Sequence, residues 1–302
     1  MMSEVLAALQ PRPGGRYLDC TLGMAGHAAA ILAASSPDGW LSGCDCDGAA
    51  VEAASRRLSA AGFAGRCEVR RGNFAELADW IPSASCDGVL FDLGVSSPQL
   101  DRAERGFSFQ RDGPLDMRMD LRQPLTAAAV VNDWPEAELA RIFREYGDEP
   151  QARRLARAIV QDRQGRRFET TAQLAGLIER LSPRHGRKAH PATRVFQALR
   201  MAVNDESSSL KKALAAACPA LKSQGRLAVI TFHSVEDRIL KEFGREQTRD
   251  YTFDGAVDVP ELRRPCAPQM RWIQRKALPP SAEEVAANPR ARSAQMRVIE
   301  KL

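Results

Sequence analysis

Three aspartates stand where apolar runs end. Asp19 follows Tyr17 and Leu18, Asp45 closes Trp40-Leu41-Ser42-Gly43-Cys44, and Asp92 closes Gly88-Val89-Leu90-Phe91. A carboxylate at the end of a strand can accept hydrogen bonds from the hydroxyls or amines of a ligand. Between the first two acids lies a turn, Gly23-Met24-Ala25-Gly26-His27, that runs into residues 28–34, all Ala, Ile or Leu, which read as a helix. Glycine lets a backbone come close to a ligand, and the free N–H groups of a helix start face it. Asp45 follows about twenty residues later, placed to take a ribose hydroxyl. Only Gly23 and Gly26 stand in the turn, so the dinucleotide fingerprint G-x-G-x-x-G is not met. The acid comes before the turn, an order more typical of sites for S-adenosylmethionine (AdoMet), which has no pyrophosphate to cradle. The same stretch also fits a purely structural strand-to-helix turn.

Hydrophobic periodicity supplies the elements that must hold these residues. Residues 1–15 form a short amphipathic segment closed by Pro11, Pro13, Gly14 and Gly15. Residues 48–61 read as a helix, 67–70 as a strand ending at Gly72-Asn73-Phe74, and 87–93 as a buried strand. Such alternation implies a parallel, doubly wound sheet, whose ligands collect at the carboxyl ends of the strands. That rule brings Asp19, the glycine turn, Asp45, Phe74 and Asp92 to one rim. A Gly-, Pro- and charge-rich stretch, 104–120, is expected to be an ordered, functional loop. From Thr126 to about Leu181 the pattern is helical without a strand, and Thr170 and Thr171 can cap the helix that carries Leu174, Leu177, Ile178 and Leu181. A basic loop over 182–194 leads to one long helix from Val195 to about Ala217. A fifth strand, 225–232, ends in His233-Ser234-Val235-Glu236-Asp237, another helix start at the rim. Strands at 270–277 and 294–300 would close the sheet as an antiparallel pair. The expected fold is α/β: a mostly parallel, Rossmann-like sheet over 1–105 and 195–302, with an all-helical insertion and basic region over 106–194.

The 302 residues are 44% hydrophobic and 27% charged, which is ordinary for a soluble globular protein. No apolar run approaches the roughly 20 residues that span a bilayer, and the start lacks the order of a signal peptide. A cytoplasmic protein without membrane contact is expected. The seven cysteines are scattered and none forms C-x-x-C, so neither a metal site nor a disulfide is expected. The net charge of +5 hides an asymmetry: residues 151–200 hold 12 Lys or Arg against 3 Asp or Glu. Such a block suits nucleic acid, or a solvated arginine-rich helix face.

Several long motifs carry a resemblance. Asp92-Leu93-Gly94-Val95-Ser96-Ser97-Pro98-Gln99-Leu100-Asp101 is followed by Glu104-Arg105-Gly106-Phe107-Ser108-Phe109 and Asp112-Gly113-Pro114-Leu115-Asp116-Met117-Arg118-Met119. His190-Pro191-Ala192-Thr193-Arg194, Phe232-His233-Ser234-Val235-Glu236-Asp237-Arg238 and Asn288-Pro289-Arg290-Ala291-Arg292-Ser293 come later. In this order they resemble the bacterial ribosomal RNA small subunit methyltransferase H family over nearly the whole chain. The resemblance implies a class I AdoMet-dependent methyltransferase with a helical insertion. It implies methylation of the exocyclic N4 of a cytosine in the decoding centre of 16S rRNA, within the small ribosomal subunit. Carried over by motif, the AdoMet contacts fall on Ala25, Gly26, His27, Asp45, Phe74, Asp92 and Gln99, beside Asp19 and Gly23 of the same turn. The family usually has Gly-Gly-His where this chain has Ala25-Gly26-His27; a methyl at residue 25 is unstrained only at negative φ. The family's N-terminal His and Pro-Val are replaced by Met1-Met2-Ser3-Glu4-Val5-Leu6. The sequence leaves a homodimer open.

Methyl transfer from a sulfonium needs in-line positioning and no metal. Cytosine N4 has its lone pair delocalised into the ring, so an acceptor for its N–H is required. Asp92 or a nearby backbone carbonyl is the candidate, with Ser96 and Ser97 orienting the base or simply forming a turn. His233 can bond the base or relay a proton, or serve structure alone. Phe74 suits the adenine or the core. Phe107 and Phe109 can stack on a nucleotide or pack in the loop. Arg184, Arg187, Lys188 and Arg194 are candidates for phosphates. Two other readings are an AdoMet enzyme acting on DNA or another RNA, and an RNA-binding assembly factor that kept the fold without the activity.

Overall fold

The computed structural model describes residues 1–182, 190–254 and 257–302. The chain divides into two compact units, Met1–Gly94 with Ser208–Leu302, and Val95–Ser207. The boundaries expected at 106 and 194 both fall inside the second unit.

The first unit opens with α1 (Met2–Leu9) and then alternates β1 (Arg16–Asp19), α2 (Gly26–Ala34), β2 (Trp40–Asp45), α3 (Gly48–Ala60), β3 (Cys67–Arg71) and β4 (Cys86–Asp92). It resumes at β5 (Leu221–Thr231). The sheet order is β3-β2-β1-β4-β5-β9-β8, where β8 is Met270–Trp272 and β9 is Gln295–Lys301. Strands β1 to β5 pair in parallel; β9 runs against β5, and β8 against β9. Tyr17, Leu18, Leu41, Leu90, Phe91 and Leu227 are buried, because strands covered on both faces need near-continuous apolar runs. A separate ribbon pairs β6 (Tyr251–Phe253) with β7 (Arg263–Pro265).

The second unit is helical: α4 (Ser97–Asp101), α5 (Ala127–Asp133), α6 (Glu136–Glu145), α7 (Ala152–Gly165), α8 (Thr171–Leu181) and α9 (Thr193–Val203). Thr170 caps α8 by accepting from the Gln173 N–H, as its sequence predicts. The stretch 104–120 is an ordered loop that buries Phe107, Leu115 and Met117 among the helices. Asn204 ties it down: its Nδ2 donates to the Met117 carbonyl and its Oδ1 accepts from the Met119 N–H, both at 2.8 Å. The single long helix expected from Val195 is instead two, α9 and α10 (Glu206–Ala220). Asn204 ends α9 and Asp205 turns left-handed at φ +46°, so the helix stops where a side chain is needed to hold the loop. Among the described residues, no helix is long and apolar enough to cross a membrane.

Candidate cofactor and methyl-transfer site

The site is built at the carboxyl ends of β1, β2 and β4. Past β1, the Cys20 N–H donates to the Leu90 carbonyl and continues the pairing with β4. Thr21 then locks the two strand ends together: its Oγ1 accepts from the Asp92 N–H at 2.6 Å, while its own N–H donates to Asp19 Oδ1 at 3.1 Å. Asp45 holds the turn from β2, accepting from the Gly23 N–H at 2.9 Å and from the Asp47 N–H at 2.9 Å. Gly23 sits at φ +50°. Ala25 follows at φ +55° as the N-cap of α2, without a side-chain cap. The negative φ that would spare residue 25 from strain is therefore not adopted, and the left-handed turn carries a buried methyl. The first N–H groups of α2 thus have no side-chain cap.

His27, one residue into α2, places Nε2 3.4 Å from Asp92 Oδ2. The other atom of each group, His27 Nδ1 and Asp92 Oδ1, is buried without a hydrogen-bond partner. Buried polar atoms left unpaired are rare, and here two belong to one pair. Asp19 is 1% exposed. Burial pushes its carboxyl up to about 6, against the opposing pull of His27 and the Thr21 N–H. Burial works against the His27 imidazolium, but the hydrogen bond to Asp92 and the charges of Asp92 and Asp19 outweigh it and raise its pKa. Burial also raises Asp45, which the N–H groups of Asp47 and Gly23 partly hold down. Phe74 begins a 3-10 turn after β3, capped by Asn73, and its ring stands edge-on to Phe91 with centroids 5.8 Å apart. These atoms suit AdoMet: free N–H groups for a carboxylate, carboxylates for hydroxyls and an ammonium, and a half-buried aromatic ring for the adenine.

At the end of β5, His233 is used differently. It caps α11 (Ser234–Gln247): Nδ1 accepts from the Glu236 N–H at 3.4 Å and Nε2 lies 3.0 Å from Glu236 Oε1. Glu236, 3% exposed, also accepts from the Phe232 N–H at 2.8 Å. Both ring nitrogens thus serve the helix turn. Thr21 and Glu236 were not singled out from sequence. The spacing His233-x-x-Glu236 is a capping-box signal that points to the second.

In the second unit, Ser96 N-caps α4 and its N–H donates to Gln99 Oε1 at 2.9 Å, so the buried Gln99 amide already serves the helix start. Ser97 is exposed. Phe107 is buried in the helical core, which leaves its ring no face for a nucleotide. Phe109 is half-buried between His190, at 4.5 Å, and Phe196, at 4.8 Å. Arg194 is exposed on α9, whereas Arg184, Arg187 and Lys188 lie outside the described residues. Three arginines of the basic block are held by residues outside it. Arg163 donates to the Val131 and Trp134 carbonyls, Arg167 to Asp133, and Arg200 to Glu206.

A sheet in this order, with β9 reversed beside the edge and a glycine turn between β1 and α2, is the class I methyltransferase fold. The MraW methylase family model matches residues 1–302, and the chain belongs to that family. It is 48% identical over 307 residues to the ribosomal RNA small subunit methyltransferase H of Symbiobacterium thermophilum, covering 100% of this chain and 95% of that one. To the proteins of the same name from Syntrophotalea carbinolica and Geobacter sulfurreducens it is 49% identical, over 100% of this chain and 96% and 97% of theirs.

Proposed function

We propose that the protein is an AdoMet-dependent methyltransferase that modifies the exocyclic N4 of a cytosine in the decoding centre of 16S rRNA. The observation that carries this reading is the unpartnered pair, His27 Nδ1 and Asp92 Oδ1, beside the uncapped start of α2. An acceptor, an imidazole and free donors at one sheet edge fit a small ligand with donors and a carboxylate of its own. The substrate class is supported by the names of relatives that match the whole chain.

The turn 23–27 would hold the amino-acid end of AdoMet, Asp45 the ribose hydroxyls and Phe74 the adenine. The Asp45 carboxylate already takes the N–H groups of Gly23 and Asp47, and its lone-pair sites outnumber these bonds, so it can also accept from a hydroxyl. When bound, the cofactor supplies an electrophilic methyl group on a positively charged sulfur. The three aspartates of the rim favour that charge. Asp92 Oδ1 accepts the hydrogen bond from the cytosine amine, which frees the nitrogen lone pair and gives the departing proton its direction. His27, against Oδ2, fixes the carboxylate orientation. Ser96 is spent on capping α4, whereas Ser97 is exposed. His233 positions α11 and takes no proton.

Nucleoside mass spectrometry of 16S rRNA from a strain lacking the gene, beside its parent, tests this. The expected result is loss of N4-methylation at one decoding-centre cytosine, restored by the wild type and not by Asp92→Ala. An unchanged methylation map would overturn the assignment.

A further inference from the structure

The motif Asn288-Pro289-Arg290-Ala291-Arg292-Ser293 has no part in the cofactor site, yet the fold brings it to the same edge of the sheet. It forms the 3-10 turn Pro289–Ser293, which runs directly into β9. The first residue of β9, Gln295, pairs with Thr231, the last residue of β5. The turn therefore stands at the carboxyl edge, where β5 hands over to His233.

A second feature meets it there. Along the outermost strand pair, the Ile273 N–H bonds the Val298 carbonyl, and Leu278 is the next residue to pair, with Met296. Five steps on one strand face two on the other, so residues 274–277 loop out, carrying Arg275 and Lys276. Bulges at sheet edges re-aim side chains and recur beside active sites. This one is anchored: Arg297 donates to the Arg275 carbonyl at 3.0 Å and to Asp237 Oδ1 at 2.7 Å.

The charges sort sharply. Arg271 and Arg297, inside the strands, are neutralised by Glu300 and Asp237. Arg275, Lys276 and Arg292 are exposed. Among the described residues no carboxylate pairs with any of the three. Residues 271–297 carry six Lys or Arg and two Asp or Glu. Unpaired cations on a braced loop and a turn, at the edge where the methyl is transferred, match a polyanion that must approach that edge.

We propose that Arg275, Lys276 and Arg292 form a cationic strip that grips the phosphate backbone of the RNA substrate at the carboxyl edge of the sheet. This rests on the reading of the substrate as RNA. The strip adds affinity and register without reading sequence, as phosphate contacts do.

The test compares the wild type with the triple variant Arg275→Gln, Lys276→Gln, Arg292→Gln. Binding to protein-free 16S rRNA and to small ribosomal subunits is titrated across salt concentrations, with methyl transfer measured alongside. A control triple, Arg12→Gln, Arg56→Gln, Arg264→Gln, removes the same charge from arginines that pair with Asp87, Glu52 and Asp254. The strip variant should bind both RNAs at least about tenfold more weakly and raise KM, with kcat and AdoMet affinity near wild type. Its plot of log affinity against log salt should be shallower by about 2. The control should keep the wild-type slope. Wild-type slope and affinity in the strip variant would overturn the strip and leave the methyltransferase standing. Loss of affinity for subunits alone, with naked rRNA bound normally, would overturn it in favour of a protein contact. A wild-type enzyme that neither binds nor methylates rRNA would overturn the substrate reading, and the strip with it.

Discussion

At the end of β1, His27 enters α2; at the end of β5, His233 enters α11. Both are histidines at helix starts on the carboxyl edge of one sheet, and both lie beside a carboxylate, Asp92 at 3.4 Å and Glu236 at 3.0 Å. They differ in what is left over. At His27 one ring nitrogen and one carboxylate oxygen are buried and unpartnered, and the helix has no side-chain cap. At His233 the imidazole is itself the cap, and Glu236 reaches back to the Phe232 and His233 N–H groups. At the first turn His27 Nδ1 and Asp92 Oδ1 meet no hydrogen-bond partner among the described residues; at the second, His233 Nδ1 and Glu236 Oε2 accept from backbone N–H groups of their own turn. A histidine at a strand end is therefore not a site until its partners have been counted.

The comparison breaks most decisively at Asp92. In Asp92→Ala, kcat for methyl transfer should fall at least about 100-fold, the low end for loss of a proton acceptor. AdoMet binding by calorimetry should persist. Near-normal turnover would remove Asp92 from the chemistry.

Next in size is the buried acid of the first turn. An acid whose folded pKa lies above its unfolded value binds more protons folded than unfolded, so stability falls as pH rises between the two. For Asp19 that window runs from 3.8 to about 6. Ionising it in the ligand-free protein costs on the order of 3 kcal/mol above the window. Asp19→Asn should match the wild type in urea unfolding near pH 4 and exceed it near pH 7. Parallel curves would show that Asp19 is not held neutral by burial.

A third prediction separates the two histidines. His233→Ala should lower unfolding free energy by about 1–2 kcal/mol through loss of the cap, with methyl transfer by the folded enzyme little changed. His27→Ala should instead weaken AdoMet binding by about tenfold with a smaller effect on stability. Denaturant titration beside calorimetry reads both, and an exchange of the two outcomes would reverse the assignment.

The smallest effect belongs to Ala25. At φ +55°, Ala25→Gly relieves left-handed strain and stabilises the fold by about 0.5–1 kcal/mol, after the entropy that glycine adds to the unfolded chain. A thermal melt without ligand measures it; a lower Tm would mean that the methyl's packing outweighs the strain.

Charge shows the same contrast between what is present and what is free. The block 151–200 holds the most Lys and Arg in the sequence, yet Arg167 and Arg200 are held by Asp133 and Glu206, acids outside that window, while among the described residues Arg153, Arg166 and Arg194 pair with no carboxylate. The less basic segment before β9 leaves Arg275, Lys276 and Arg292 unpaired. Counting residues in a window sums charges but cannot see which are already neutralised.

Local periodicity made most of the sheet legible. Short apolar runs such as Gly88-Val89-Leu90-Phe91, too short for a helix, suit buried strands, and the turn after Asp19 announces a helix start by its glycines and the Ala-rich run beyond. The break at Asn204–Asp205 was not legible, because apolar spacing continues through it. Only the need to hold Met117 and Met119, some 85 residues earlier, ends α9 there.

The sequence by itself determined the alternation of strands and helices, the strand-end position of Asp19, Asp45 and Asp92, and the family. The first two follow from neighbours a few residues apart, and the family from motifs placed in order along the chain. Tertiary structure alone decided which polar atoms are satisfied. Asp92 is positioned by Thr21, 71 residues away, and faces His27 across the same edge. A hydrogen bond needs its partner within about 3 Å, and which residue arrives there depends on how distant segments meet.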